Sequence, residues 1–435
     1  MGTLLKNALI VTQNAAKDIL KDDILIEDTL IQQIEKNIPE NNHRVHDMSG
    51  HVIIPGFVQA HVHICQTLFR NLADDLELLD WLEKRIWPME MAHDRDSLRA
   101  SAQLGLAELL LGGTTCILDM GNGEHQDVIF EEMIRSGIRG LSGKVLMDSG
   151  TQPYKDETGA ALKESERLIK KWHGAENQRI QYALAPRFVP ACSMELWEGV
   201  KDLSQKYNLI IHTHASENQK EWQYVKDTTG YSNVEFFEKN GMSSPNLCLA
   251  HCIWISEDEI RMMGETGINV LHCPSANLKL GSGIAPIPEL LQQGVNVALG
   301  ADGVACNNNL DMFTEIRLAA LIQKPRAGVR STSAEKIFDM ATIGGAKAVG
   351  KHDRIGSLET GKKADLTVLN LNKVHCIPAD NIYSQIVYSA HVSDIDHVMV
   401  DGNWVVFNKE LKNYSTTDIM KNAWKEIHKL FERLT

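Results

Sequence analysis

The sequence predicts an α/β protein, a (β/α)8 TIM-type barrel joined to a small β-sandwich domain formed by the N- and C-terminal strands, and three observations carry that reading. Between residues 55 and 361, eight short apolar runs alternate with longer helical stretches, the signature of a parallel β-α array. Four of those runs, the first, fifth, sixth and eighth, deliver metal-ligating residue types: His61 and His63, His214, His251, and Asp302. Outside that span, both chain ends read as short strands. In a parallel barrel every strand C-terminus opens onto one face, so ligands far apart in sequence converge there. A doubly wound sheet alternates too, but it does not usually spread ligands over four such strands.

Residues 4–12, 24–26 and 31–34 read as short strands, followed by the polar loop Pro39-Glu40-Asn41-Asn42. They are too short and polar for barrel strands. Residues 364–369 and 397–406 have the same character, so segments 1–54 and 362–435 are assigned to one composite β domain, with the barrel, 55–361, inserted between them. Barrel strands are expected at 52–60, 114–120, 138–147, 180–186, 209–213, 247–250, 268–271 and 295–301. Helices at 97–111 and 193–207 precede the second and fifth of these.

A chain of 435 residues with 43% hydrophobic content buries a large core and has room for one big domain plus a smaller one. Its net charge of −13 disfavours nucleic acids and anionic membranes, where basic patches carry the affinity. A small neutral or weakly charged substrate fits better. The first twenty residues lack a secretory pattern and no run approaches about 18 uninterrupted apolar residues, so a soluble, cytoplasmic protein is expected, as a homo-oligomer. The eight cysteines form no Cys-x-x-Cys pair and read as reduced, mostly buried thiols. No Pro-Cys occurs, which excludes the cytidine-type zinc deaminases that need a Pro-Cys-x-x-Cys beside a His-x-Glu.

His61 and His63 stand two apart at a strand end, where alternate side chains point the same way and both imidazoles reach one ion. Together with His214 and Asp302 they make three neutral nitrogens and one carboxylate, a set that holds a divalent metal with a position left for water of lowered pKa. Loss of an amine needs a proton carrier, and Glu217, three residues past His214, is the candidate. His251 either orients the attacking water and stabilises developing charge or serves as a further ligand in a two-metal site. His212 and His272 flank the site with the wrong strand parity or without a partner and are read as structural.

With these residues in place, the chain resembles the amidohydrolase superfamily, in the branch of methylthioadenosine, S-adenosylhomocysteine and 5′-deoxyadenosine deaminases, guanine deaminases and triazine hydrolases. The resemblance spans essentially the whole chain and rests on Pro55-Gly56-Phe57-Val58-Gln59-Ala60-His61-Val62-His63, on the stretch from Leu72 through Trp81 to Glu90, on Asn277-Leu278-Lys279-Leu280-Gly281-Ser282-Gly283, and on Asp302-Gly303 with Asn307-Asn308-Asn309-Leu310-Asp311-Met312. It implies metal binding by His61, His63, His214 and Asp302, proton shuttling by Glu217 and water positioning by His251, with Asp302 counted among the catalytic groups. It also implies one divalent ion, zinc or else iron, because the carboxylated lysine that two-metal members carry at the end of strand four is replaced by Pro186-Arg187-Phe188.

For the substrate, Trp81 is similar to the tryptophan that packs on the heterocycle and Glu90 to the glutamate that binds ribose hydroxyls, whereas Gln66 and Arg187 resemble the base-reading pair of guanine deaminases. Core packing alone is the competing reading for Trp81 and Trp87. The combination is most like the 5′-deoxyadenosine deaminases. The implied reaction is hydrolytic deamination of a 5′-modified adenosine, with guanine-type or s-triazine (chloro/amino)hydrolase chemistry as the alternative.

Overall fold

The structure, a computed structural model, describes residues 2–150 and 155–434; the ends of the expected β domain at Met1 and Thr435 lie outside them. Two parallel sheets make the barrel wall. One runs from Phe57–Val62 through Thr114–Asp119 and Arg139–Ser142 to Ile180–Tyr182. The other runs from Ile211–Ala215 through Leu247–His251 and Asn269–His272 to Asn296–Leu299. Parallel bridges between Leu184 and Ile211, and between Val62 and Asp302, close the ring. The barrel interior is filled by small and branched side chains, among them Val58, Ala60, Leu118, Ala250, Leu271 and Ala298, all buried.

Several strand boundaries differ from expectation, each for a local reason. The apolar run 52–60 is two strands. Val52–Pro55 pairs antiparallel with Leu366–Leu369 and parallel with Thr3–Val11, and only after Gly56 does Phe57–Val62 join the barrel. A side chain at 56 would run into Thr115, so the crossing between sheets is made at a residue without one. The runs 138–147 and 180–186 are likewise each broken into two pieces, the second pieces being Val145–Leu146 and Ala185–Pro186. The fifth strand is Ile211–Ala215, two residues later than expected, which puts His214 inside it.

Both chain ends feed one nine-stranded sheet among the described residues. Its outermost N-terminal strand, Leu30–Glu35, curls round until Leu30 bridges Lys363, so the sheet covers its own core, where Leu5, Ile24, Ile53, Leu366 and Met399 meet. The expected strand at 397–406 is a hairpin: Ile395–Val400 and Asn403–Phe407 turn at Asp401-Gly402, both with positive φ, as the right-handed strand twist demands of a two-residue turn. The segment after residue 362 also holds two helices that pack on barrel helices. Ile382–Tyr388 lies on Ala334–Ala341, and Thr416–Leu434 lies on Arg95–Leu111. The barrel and the sheet are further tied by buried Arg139, which reaches Asp365 at 2.7 Å and Asp401 at 2.5 Å.

The helix Arg95–Leu111 begins at Asp94, whose carboxylate accepts from the Ser97 N–H, and Met194–Tyr207 begins at Ser193 in the same manner. Asn208, with positive φ, ends the latter and turns the chain into the fifth strand.

Candidate active site

At the C-terminal face of the barrel, His61, His63, His214 and Asp302 bring one ligand atom each within 4.8 Å of one another. The Nε2 atoms of His61 and His63 each lie 3.3 Å from Asp302 Oδ1, and the Nε2 atoms of His63 and His214 are 3.2 Å apart. His251 Nε2 stands 3.5 Å from Glu217 Oε2 and 3.9 Å from Asp302 Oδ2. His251 and Asp302 both hold left-handed backbone, at φ 73° and 62°, an unfavourable conformation of the kind concentrated at functional sites.

The tautomers follow from what each ring meets on its far side. His214 Nδ1 donates to the Arg187 carbonyl at 2.7 Å, and His251 Nδ1 donates to Asn277 Oδ1 at 2.8 Å. His61 Nδ1 faces His212 Nε2 at 2.6 Å, a contact that needs one proton between them; placed on His61, it leaves the Nε2 lone pair free. Each of the three rings then turns an unprotonated Nε2 toward the same point, and those of His61 and His251 have no hydrogen-bond partner. Burial holds His61, His63 and His214 below the usual histidine range, in the neutral form that ligates. Burial pushes the Asp302 carboxyl up, but the facing histidines, which favour the carboxylate whenever one of them carries a proton, bring it well below the usual carboxylate range. Converging lone pairs around an ionised carboxylate repel one another, and a divalent cation is the group that fits them. Glu217 moves the other way: burial first, and the Asp302 charge second, raise it well above the carboxylate range, into the protonated form a donor needs.

His212 corrects the expected parity. It stands two residues before His214 on one strand, shares its side of the sheet, and backs His61 directly. His272 is buried, with neither ring nitrogen hydrogen-bonded and a pKa pushed down to about 3 by burial. Four further groups escaped the sequence reading. Asn277 orients His251; Asp119 accepts from the Ile64 N–H at 2.9 Å and from Ser142 Oγ at 2.6 Å, bracing the chain just after His63; Glu221, buried, accepts from the Glu217 N–H at 3.2 Å; and Phe188 faces the cavity. Asn277 and Phe188 lay inside motifs already singled out. The signal for Asp119 was its place at a strand end, and for Glu221 its place in the first turn of the helix Gln219–Thr229, just after Glu217.

The groups expected to read the substrate come together on the opposite side. Glu90 Oε2 binds Arg187 Nη1 at 2.6 Å while its Oε1 accepts from Gln66 Nε2 at 2.8 Å, so the ribose-type and guanine-type features form a single network. Gln66 Oε1 is buried without a partner, and a side chain at Gly303 would collide with it, which accounts for glycine after Asp302. A cavity is lined by Trp81, Arg187, Phe188, Glu217, His251 and Asp302. A second is lined by Trp87, Glu90, Met91, Asn122, Val145 and Met147. Arg187 borders the first and its partner Glu90 the second. Both tryptophans also pack in the apolar cluster around Phe69 and Leu82, so each faces a cavity and the core together.

Residues 52–405 match the Amidohydrolase family. The chain is 37% identical to the 5′-deoxyadenosine deaminase of Methanosarcina acetivorans over 93% of each chain. It is 36% identical to the 5-methylthioadenosine/S-adenosylhomocysteine deaminase of Thermococcus onnurineus over 94% of this chain and 95% of that one. The crystal structure of an adenosine deaminase from Xanthomonas campestris with bound zinc superposes at a TM-score of 0.93, with 30% identity, 99% of this chain covered and 98% of that one. Among the described residues no helix is long and apolar enough to cross a membrane.

Proposed function

The chain belongs to the amidohydrolase family, and from that premise we propose that it is a metal-dependent deaminase of 5′-modified adenosines, with 5′-deoxyadenosine foremost and methylthioadenosine and S-adenosylhomocysteine beside it. His61, His63, His214 and Asp302 hold one divalent ion, and the zinc in the related adenosine deaminase structure supports zinc. When bound, the ion supplies Lewis-acid activation of water. The residues 55–361 carry this chemistry, the terminal segments brace it, and the substrate is a small purine nucleoside.

The chain's own groups then divide the work. Glu217, protonated at rest, donates to the ring nitrogen N1 as the water oxygen adds to C6, takes up the proton the water releases, and delivers it to the departing amine. The C6–N6 bond breaks, ammonia leaves, the oxygen stays at C6 as a carbonyl, and the second proton of the water returns to Glu217, restoring its resting form. His251 is held by Asn277 with its Nε2 between Glu217 and Asp302, where it positions the attacking oxygen. Trp81 and Phe188 pack on the base.

One observation carries the choice of substrate: Glu90 borders the second cavity and neutralises Arg187 from there. Its carboxylate has lone pairs left for ribose hydroxyls, while an arginine already paired is a poor reader of a guanine carbonyl. That counts against the guanine-type alternative. Ammonia or chloride release from metal-replete protein, measured with adenosine, 5′-deoxyadenosine, methylthioadenosine, S-adenosylhomocysteine, guanine and chlorotriazines, tests the reading. Turnover led by the 5′-modified adenosines supports it, and turnover led by guanine or a triazine overturns it.

A further inference from the structure

Far along the chain from the barrel ligands, two short segments bring a second set of metal-binding residue types together. Lys373 to Cys376 form a turn in which the Cys376 N–H bonds the Lys373 carbonyl, and the helix Ile382–Tyr388 holds that turn through a bond from Gln385 Nε2 to the Cys376 carbonyl at 2.9 Å. The short turn Val392–Asp394, just before the strand Ile395–Val400, supplies the other half. His375 Nε2 lies 2.9 Å from Asp394 Oδ2, and Cys376 Sγ lies 3.8 Å from the same oxygen. The ring of His391 stacks on that of His375, with centroids 4.6 Å apart and planes 16° from parallel.

We propose that His375, Cys376 and Asp394, with His391 beside them, form a second divalent-cation site that takes zinc and fastens the loop after Leu371 to the turn before Ile395. His375, Cys376 and Asp394 offer a nitrogen, a sulfur and an oxygen within 4.8 Å of one another, the mixed donor set of a borderline cation. A thiolate and a carboxylate together cancel the charge of a dication, whereas a buried thiol and carboxylate facing each other gain little. Among the described residues, no lysine or arginine forms an ion pair with the Asp394 carboxylate, whose basic side-chain neighbour within 4.0 Å is His375. The site is also reachable: Cys376 and Asp394 are buried, but both histidines are exposed, which gives an ion an entry path and an open rim. Binding replaces the thiol proton by the metal, so one proton is released to solvent per ion bound at neutral pH.

Cobalt(II) separates this site from the catalytic one, whose proposed ligands include no thiol. Protein stripped of metal, given one zinc ion per chain for the catalytic ligands and then titrated with cobalt(II), is expected to take up one further ion per chain and to show a thiolate-to-cobalt band in the near ultraviolet. Cys376→Ser removes both the band and the extra ion while deamination is unchanged. Loss of an exposed side chain in His391→Ala or His375→Ala weakens uptake by about tenfold or more. A wild-type protein with no thiolate band overturns the proposal, as does a band that survives Cys376→Ser, which assigns it to another cysteine, or uptake unaltered in both histidine variants.

Discussion

On one side of the cavity the groups proposed to carry the chemistry sit on barrel strands or within three residues of their ends. On the other, the groups proposed to face the substrate hang from the excursion between the first and second strands, residues 64–91, and reach across to Arg187. The first side is braced by other buried polar groups: His212 behind His61, Asn277 behind His251, Asp119 beneath the chain after His63. The second is built from short turns, including a wide helical turn at Leu82–Ile86, and its polar groups brace chiefly one another. The difference separates reaction from selection: a ligand set fixed by hydrogen-bonded strands tolerates little, while a rim on an excursion can be exchanged without rebuilding the barrel.

Removing a ligand tests the first half and carries the largest effect. His63→Ala or Asp302→Ala is expected to leave almost no bound metal by elemental analysis and activity reduced by several orders of magnitude. Full metal content in either variant breaks the assignment. Next comes Glu217→Gln, which keeps shape and metal but cannot titrate. Its kcat is expected to fall by roughly 10²-fold or more, with unchanged metal content. A loss of only a few fold hands the proton to another group, His251 first.

Glu90→Gln addresses the rim. It removes the charge that faces Arg187 and the acceptor offered to ribose hydroxyls, so kcat/KM for 5′-deoxyadenosine is expected to drop by about 1.5–3 kcal/mol in transition-state stabilisation. Bound metal stays at the wild-type level, and that contrast with His63→Ala is the comparison in its sharpest form. If Glu90→Gln strips the metal as well, the two sides are not separate.

The smallest effect is on stability. Glu315 is fully buried, accepts from Asn307 Nδ2 at 2.8 Å and from the Ser275 N–H at 3.2 Å, and is pushed up to about 7 by burial. A carboxyl raised in this way binds its proton more tightly folded than unfolded. Its contribution is complete below about pH 4.5, the ordinary value, and is lost as pH rises through about 7. Denaturant unfolding of Glu315→Gln at pH 5 and pH 8 is expected to lack a decline on the order of 2 kcal/mol that the wild type shows across that window. Parallel declines in both proteins assign the pH dependence to other groups.

Much of this architecture was legible because barrel strands announce themselves twice, as apolar runs and as polar strand ends. That double signal located His61, His63, His214, His251, Asp302 and, from the loop beyond, Glu217. Its failures are physical. Residues 52–60 are buried throughout, so the pattern did not register that the chain changes sheets at Gly56. The hairpin at Asp401-Gly402 did carry its turn signal, hidden by continuous apolar flanks. His212 was excluded by a parity its spacing from His214 contradicts. Least legible was the rim: Gln66, Glu90 and Arg187 were named as rival readers of two substrates, and only the folded chain brings them into one network.

That network makes the central claim directly measurable through kcat/KM for 5′-deoxyadenosine and for guanine, determined side by side on metal-replete protein. With Arg187 neutralised by Glu90, and Glu90 bordering the cavity beyond it, the nucleoside is expected to have the higher value. A higher value for guanine would contradict the account, because it would mean that Arg187 leaves Glu90 to read the base.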